Sequence, residues 1–138
     1  MIKSVMELHT HTVASGHAYN SLREMAKAAA EKGLELLGIT EHAPKMPGSC
    51  QTFYFRNLKV VPRTLYGIEL LLGSEVNIMD SEGNLDLSQK DLMSLDLVIA
   101  SMHTPCMRPA SKAENTYAYQ KVLENPAVNI IGHPDDGR

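Results

Sequence analysis

The sequence has no apolar run approaching the ~18 residues of a membrane span, and no charged-then-apolar start of the secretory kind. A membrane-spanning or exported protein is therefore not expected, and the cytoplasm is the default location. Cysteine is scarce. Cys50 and Cys106 are too few for a disulfide framework, and reduced thiols fit the same compartment. Cys106 stands close after His103, but no second Cys or His pair has finger spacing, so a structural zinc finger is not expected. A surplus of positive charge is also lacking: a formal net charge of -3 offers no basic face to nucleic acid or an anionic membrane. With 43% hydrophobic and 21% charged residues, the 138-residue chain has the composition of a soluble globular protein. That length suits one domain and not two.

Histidine, by contrast, is concentrated. Three of the six histidines fall in Glu7-Leu8-His9-Thr10-His11-Thr12-Val13-Ala14-Ser15-Gly16-His17, directly after an apolar run. If Ile2 to Leu8 is a strand, His9 and His11 are two apart and share a face, and His17 lies in a Ser-Gly loop able to fold back over the strand end. Two imidazoles on one face can hold a divalent ion if other residues complete the shell.

The rest of the chain alternates strands with helices. Leu22, Met25, Ala26, Ala29 and Ala30 recur at helical spacing after caps at 19–21, and Gly33 stops that helix. Leu34 to Thr40 is a short apolar run, read as a strand buried on both faces. A loop follows from Ala43 to Gln51. Phe53 to Leu65 is ambiguous: a short helix through Arg56-Asn57-Leu58 fits, but Pro62 interrupts it. Gly67 to Met79 reads as a third strand, Ser81 to Asn84 as a turn, and Leu85-Asp86-Leu87 as a small extra strand or bend. A short helix at Ser88 to Leu92, a fourth strand at Leu95 to Ala100, a helix at Ala113 to Asn125 and a fifth strand at Val128 to Ile131 complete the pattern.

Strands alternating with helices imply parallel β/α units, whose strand carboxyl ends face one side and bind ligands there. His9 and His11 close the first strand, His42 the second, His103 the fourth and His133 the fifth. The third carries Glu75. All six histidines therefore meet at one rim, which predicts a polynuclear metal centre. Glu75 is the natural bridge, since a carboxylate can touch two ions. Glu41 and His42 are neighbours and cannot both face inward along a regular strand. His42 is read as the ligand. Glu41 is either an acceptor orienting an imidazole or a strand-end carboxylate facing solvent.

In order, these motifs resemble those of the PHP (polymerase and histidinol phosphatase) family, and most closely its small stand-alone phosphatases. Glu7-Leu8-His9-Thr10-His11 with Ser15-Gly16-His17 resembles the first motif, Gly38-Ile39-Thr40-Glu41-His42 the second and Gly73-Ser74-Glu75-Val76-Asn77 the third. Ala100-Ser101-Met102-His103 and Ile131-Gly132-His133-Pro134 resemble the next two. The resemblance implies a distorted seven-stranded β/α barrel, TIM-like, with two to three divalent ions (Zn, Mn or Fe) at the strand ends. By position it assigns His9, His11 and Glu75 to a first ion, Glu75, His103 and His133 to a second, and His17 with His42 to a third.

The activity implied is hydrolysis of a small phosphorylated substrate. Glu75 and His103 are then catalytic candidates, with a hydroxide bridging two ions as nucleophile. Arg63, Arg108 and Lys112 are candidates for holding phosphate oxygens.

The chain departs from the family pattern in three ways. Glu7 and Glu41, both read as carboxylates that support the ligands from behind, stand where aspartate is usual. A barrel of this kind needs ~200 residues or more. A late Asp-x-His motif, which would complete the first and third ion sites, is absent. The expectation is thus a partial domain over 1–138: an α/β, five-strand, amino-terminal portion of the barrel, read as a fragment of a longer protein. Exposed edges at the first and fifth strands would suit homo-oligomer formation if the short chain is natural. Two other functions stay open. One is a non-catalytic metal-binding module. The other is a metal-dependent amidohydrolase, disfavoured because no lysine follows the fourth strand.

Overall fold

The computed structural model describes residues 4–108 and 110–135. Its strands are β1 (Met6–Thr10), β2 (Leu36–His42), β3 (Thr64–Leu65), β4 (Ile68–Asn77), β5 (Leu97–Ser101) and β6 (Ile130–Ile131). Its helices are α1 (Leu22–Glu31), α2 (Thr52–Asn57), α3 (Gln89–Leu92) and α4 (Lys112–Leu123). Five strands form one parallel sheet in the order β1-β2-β4-β5-β6. This is the expected α/β half-barrel.

The two longest helices start for local reasons. Ser21 caps α1 and Ser111 caps α4, each in a reciprocal capping box with the glutamate three residues on, Glu24 or Glu114. Past α1, Gly33 takes a positive φ of 75°, which a glycine adopts without steric cost. Each helix turns small or apolar residues to the core: Ala26 and Ala29 from α1, Ala118 and Val122 from α4. The sheet core is denser, with Leu37, Ile39, Leu70, Leu72, Val76, Val98 and Ile99 all buried. Burial of consecutive residues along β2 agrees with a strand covered on both faces.

Several boundaries differ from expectation. β1 is described from Met6 and runs to Thr10, so His9 lies inside the strand; residues 1–3 lie outside the described residues. β2 starts at Leu36, because the Leu34 amide still bonds back to the Ala29 carbonyl of α1. It continues to His42 because Glu41 and His42 pair with Ser74 and Glu75 of β4. The ambiguous 53–65 stretch forms α2, a 3-10 turn at Leu58–Val60 and the short β3. β3 folds antiparallel onto β4 through Tyr66 and Gly67, both at positive φ, the two-residue turn that suits hairpin twist. Leu85 makes a single bridge to Ile78.

The sheet is curled. β1 and β6 are its opposite edges, about 19 Å apart if four strand spacings were laid flat. Yet the rings of His9 and His133 stack with centroids 5.8 Å apart. Curling brings the carboxyl ends of all five parallel strands around one point. Among the described residues no helix is long and apolar enough to cross a membrane.

Leu72 sits at the middle of β4, fully buried. Leu72→Ala should lower unfolding free energy by about 2–5 kcal/mol, read as a shifted midpoint in urea titration. An unchanged midpoint would mean that this strand is not the centre of the core.

Candidate metal centre

Glu75 occupies the middle of the rim, with a relative exposure of 1%. Its Oε2 lies 3.1 Å from His9 Nε2, 3.2 Å from His11 Nε2 and 2.9 Å from His42 Nδ1. Its Oε1 lies 3.2 Å from His103 Nε2 and 2.8 Å from His133 Nε2. Five imidazoles thus surround one carboxylate. His17, on the loop after β1, completes the set by packing its ring against His11 and His42. A cleft of about 580 Å³ opens above, with Met46, Met102, Met107, Pro105, Asn115 and Tyr119 among its walls.

Hydrogen bonds alone do not account for this arrangement. Three nitrogens crowd Oε2, more than its two lone pairs can serve. His42 Nδ1 and Glu75 Oε2 face each other at 2.9 Å, yet neither has a hydrogen-bond partner, and both are buried. His103 is fixed from behind. Its Nδ1 lies 2.7 Å from Asn77 Oδ1, and the Asn77 amide is oriented by Asp86, to which Nδ2 donates at 2.6 Å. Nδ1 therefore carries the proton, and the Nε2 lone pair points into the cleft. A lone pair facing a carboxylate oxygen is repulsive unless a cation lies between them. Protonating every ring instead would set like charges ring to ring, with His11 and His42 centroids 4.3 Å apart. The donor set fits divalent metal ions.

The titration tendencies point the same way. Burial pushes the Glu75 carboxyl up, but the surrounding imidazoles outweigh it and hold the group ionised, well below the usual carboxylate range. His9 is raised, chiefly by Glu75. His42 is lowered, chiefly by burial, which keeps it a neutral donor.

Three groups of donor atoms come within 4.8 Å of one another: His11-His17-His42, His9-Glu75-His133 and His42-Glu75-His103. By this proximity His11 stands with His17 and His42, while the His9-His11-Glu75 set implied by resemblance is met in that both rings approach Glu75 Oε2, at 3.1 and 3.2 Å. The β1–β2 register shifts between Glu7 and Thr10, and the strand ends at Thr10. Simple alternation therefore no longer governs His11, which turns toward His17 and His42.

Glu41 does not face solvent. It is fully buried and accepts from the Thr12 amide at 3.0 Å, the Thr12 hydroxyl at 2.5 Å and the Ser15 hydroxyl at 2.5 Å. Ser15 stands between it and the His11 imidazole. Glu7 is exposed and accepts from the His9 backbone amide at 3.1 Å, and its charge adds a little to the raising of His9.

The three cation candidates are not among the cleft-lining residues. Arg63 is at the amino ends of the strands, ion-paired with Asp96 at 2.7 Å and donating to the Leu58 and Val61 carbonyls. It precedes the β3–β4 hairpin, which feeds β4 from the opposite end. Arg108 and Lys112 are exposed. Burial pushes both the Cys50 and Cys106 thiols up to about 11, and neither joins a donor group.

Ser15, Asn77, Asp86 and Gly132 were not singled out from sequence. For Asn77 a signal existed: two residues after Glu75 on β4, it shares that face. Gly132 precedes His133 because a Cβ there would overlap the Ser101 hydroxyl and stand 3.5 Å from Glu75 Oε1. His133 itself has φ 27°, a strained value for a non-glycine residue.

Residues 7–136 match the PHP domain, so the chain belongs to the PHP domain family. It is similar to a protein named probable phosphatase from Clostridium novyi, 55% identical over 133 residues, covering 96% of this chain and 54% of the relative. A probable phosphatase of Thermoanaerobacter sp. is 52% identical over 134 residues, covering 96% and 55%. One of Acetivibrio thermocellus is 47% identical over 133 residues, covering 96% and 55%. The chain spans about half the length of the curated relatives it matches.

Imidazoles must be neutral to bind metal, so ion retention should rise with pH and be lost on acidification below about 6. Elemental analysis after gel filtration at several pH values measures this. Glu75→Gln should remove most of the bound metal at neutral pH; full retention would exclude Glu75 as a ligand.

Proposed function

We propose that the protein is a metal-dependent phosphoesterase acting on a small phosphomonoester, with this chain supplying the amino-terminal strands of a larger PHP barrel. The observation that carries the reading is the buried Glu75 carboxylate ringed by five imidazole nitrogens within 3.2 Å. The relatives' name, probable phosphatase, and their greater length support it.

In this reading His9 and His133 would hold one ion with Glu75, and His103 another with it, while His11, His17 and His42 would hold a third; the neutral His42 ring has one free lone pair and serves a single ion. Zinc, manganese and iron all suit such nitrogen and carboxylate donors. When bound, these ions supply positive charge against the phosphoryl oxygens and acidify a water to serve as nucleophile. The chain's own part is preorganisation. Asn77 keeps the proton on His103 Nδ1, so Nε2 stays a donor toward the cleft. Glu75 stays ionised and bridges the His9-His133 pair and His103. The cleft walls limit solvent around the ester.

The test is hydrolysis of a chromogenic phosphomonoester by this chain and, in parallel, by the full-length Clostridium novyi relative, each loaded with zinc or manganese. His9→Ala and Glu75→Gln should lower kcat by roughly 100-fold or more, and chelation should abolish turnover until metal is restored. Metal-loaded protein without any turnover in either chain would favour the non-catalytic module.

A further inference from the structure

We propose that Ser15 is a positioning residue that sets the His11 tautomer and thereby builds the His11-His17-His42 ion site separately from the two that share Glu75. The inference rests on the metal reading above, but its decisive readout does not use phosphatase activity.

Ser15 is 1% exposed and touches all three histidines of that group. Its hydroxyl accepts from the His42 amide at 2.9 Å and lies 3.1 Å from His11 Nδ1. Its backbone carbonyl lies 3.2 Å from His17 Nδ1. The hydroxyl has one proton and two lone pairs. The proton goes to Glu41 Oε2 at 2.5 Å, since the Thr12 amide and hydroxyl also donate to this carboxyl group, which acts here as an acceptor. One lone pair takes the His42 amide, which leaves the second for a donor. His11 must therefore hold its proton on Nδ1 and present a bare Nε2 to the cleft. A carbonyl likewise only accepts, so His17 also carries its proton on Nδ1. Both free Nε2 atoms then face the position that His42 shares.

The direction of the Ser15 proton is in turn fixed by Glu41, which the Thr12 amide and hydroxyl and the Tyr54 hydroxyl hold in place. The order of control runs from Glu41 to Ser15 to His11. Although His11 and His42 also approach Glu75 Oε2, at 3.2 and 2.9 Å, none of the Ser15 bonds reaches His9, His103 or His133, so disturbing Ser15 should cost the site built on His11 and His17 and spare those that Glu75 forms with His133 and with His103.

Two variants separate this from general disruption. Ser15→Ala removes the acceptor behind His11. Glu41→Gln keeps size but can present an amide N–H to Ser15, freeing the serine proton to turn toward His11 Nδ1. Long-range nitrogen NMR of the zinc-loaded protein, in which a cation stands between the His11 Nε2 lone pair and Glu75, reads which nitrogen of each ring keeps its proton at a pH where imidazoles are neutral. The wild type should show His11 protonated on Nδ1, Ser15→Ala a mixture, and Glu41→Gln a shift toward Nε2, with His103 unchanged in all three. In zinc titrations followed by elemental analysis, Ser15→Ala should lose one ion per chain, or bind it roughly 10- to 100-fold more weakly. An unaltered His11 tautomer in both variants would overturn the proposal, as would an undiminished ion count in Ser15→Ala. If Ser15→Ala does not fold, the Glu41→Gln tautomer alone decides. A correct tautomer pattern without phosphatase activity would leave Ser15's role intact and count only against the enzymatic reading.

Discussion

A carboxylate buried at the centre of the rim, with imidazoles on both of its oxygens, is the constraint on which the rest of this structure depends. Removing such a charge from water costs several kcal/mol unless it is compensated. Only one strand can place a side chain within reach of every other strand end, and that is the central one. β4 lies between β2 and β5, and Glu75 is near its carboxyl end. β1 and β6, at the edges, reach it only because the sheet curls. The curl also demands small residues where backbones and side chains converge, and Gly132 meets that demand at the Ser101 hydroxyl beside Glu75.

Behind the donor atoms stands a layer of polar groups with their bonding capacity filled. Asp86 accepts from the Asn77 amide at 2.8 Å and its side chain at 2.6 Å, and from the Lys45 amide at 2.9 Å. This clamp prevents Asn77 from flipping, so His103 sees a carbonyl oxygen and not an amide nitrogen. On the other side of β2, Glu41 is held by Thr12 and Ser15. Glu41 and His42 are adjacent and point opposite ways, one into this supporting layer and the other into the cleft. Pleating alone thus separates the support from the donors.

The helices and the rim positions were legible because their causes are local. Ser21 with Glu24 and Ser111 with Glu114 mark helix starts within four residues, and a histidine directly after a strand lies at the rim of any parallel sheet. The β3 hairpin was not legible, since a two-residue strand has no period to read and its turn places Tyr66 at positive φ. That His11 also packs on His17 and His42 was not legible, because it follows from a register shift at the end of β1, which alternation does not encode. Ser15 and Asp86 act across 27 and 41 residues of sequence, on the His42 and Lys45 amides respectively. Nothing local marks either residue. Arg63 shows the opposite error: a cation has no pattern that says which end of the strands it occupies, and this one lies at the amino end, paired with Asp96.

Metal binding, where it occurs, would be coupled to folding through the sheet edges. β6 pairs with β5 through only Ile99↔Ile130 and Ala100↔Ile131. Two residues of ladder hold a strand weakly. His133, immediately beyond, reaches Glu75 Oε1 at 2.8 Å and stacks on His9 from the far edge. A cation held by His9, Glu75 and His133 would tie β1, β4 and β6 to one point, so part of its binding free energy would also be free energy for keeping the curl. The imidazoles crowd Glu75 in a way that neither neutral nor fully protonated rings satisfy, and the same crowding makes the curled sheet the favoured partner of a divalent ion. The strained φ at His133 fits this view. The last strand gives up regular geometry so that its histidine can reach the carboxylate that organises the others.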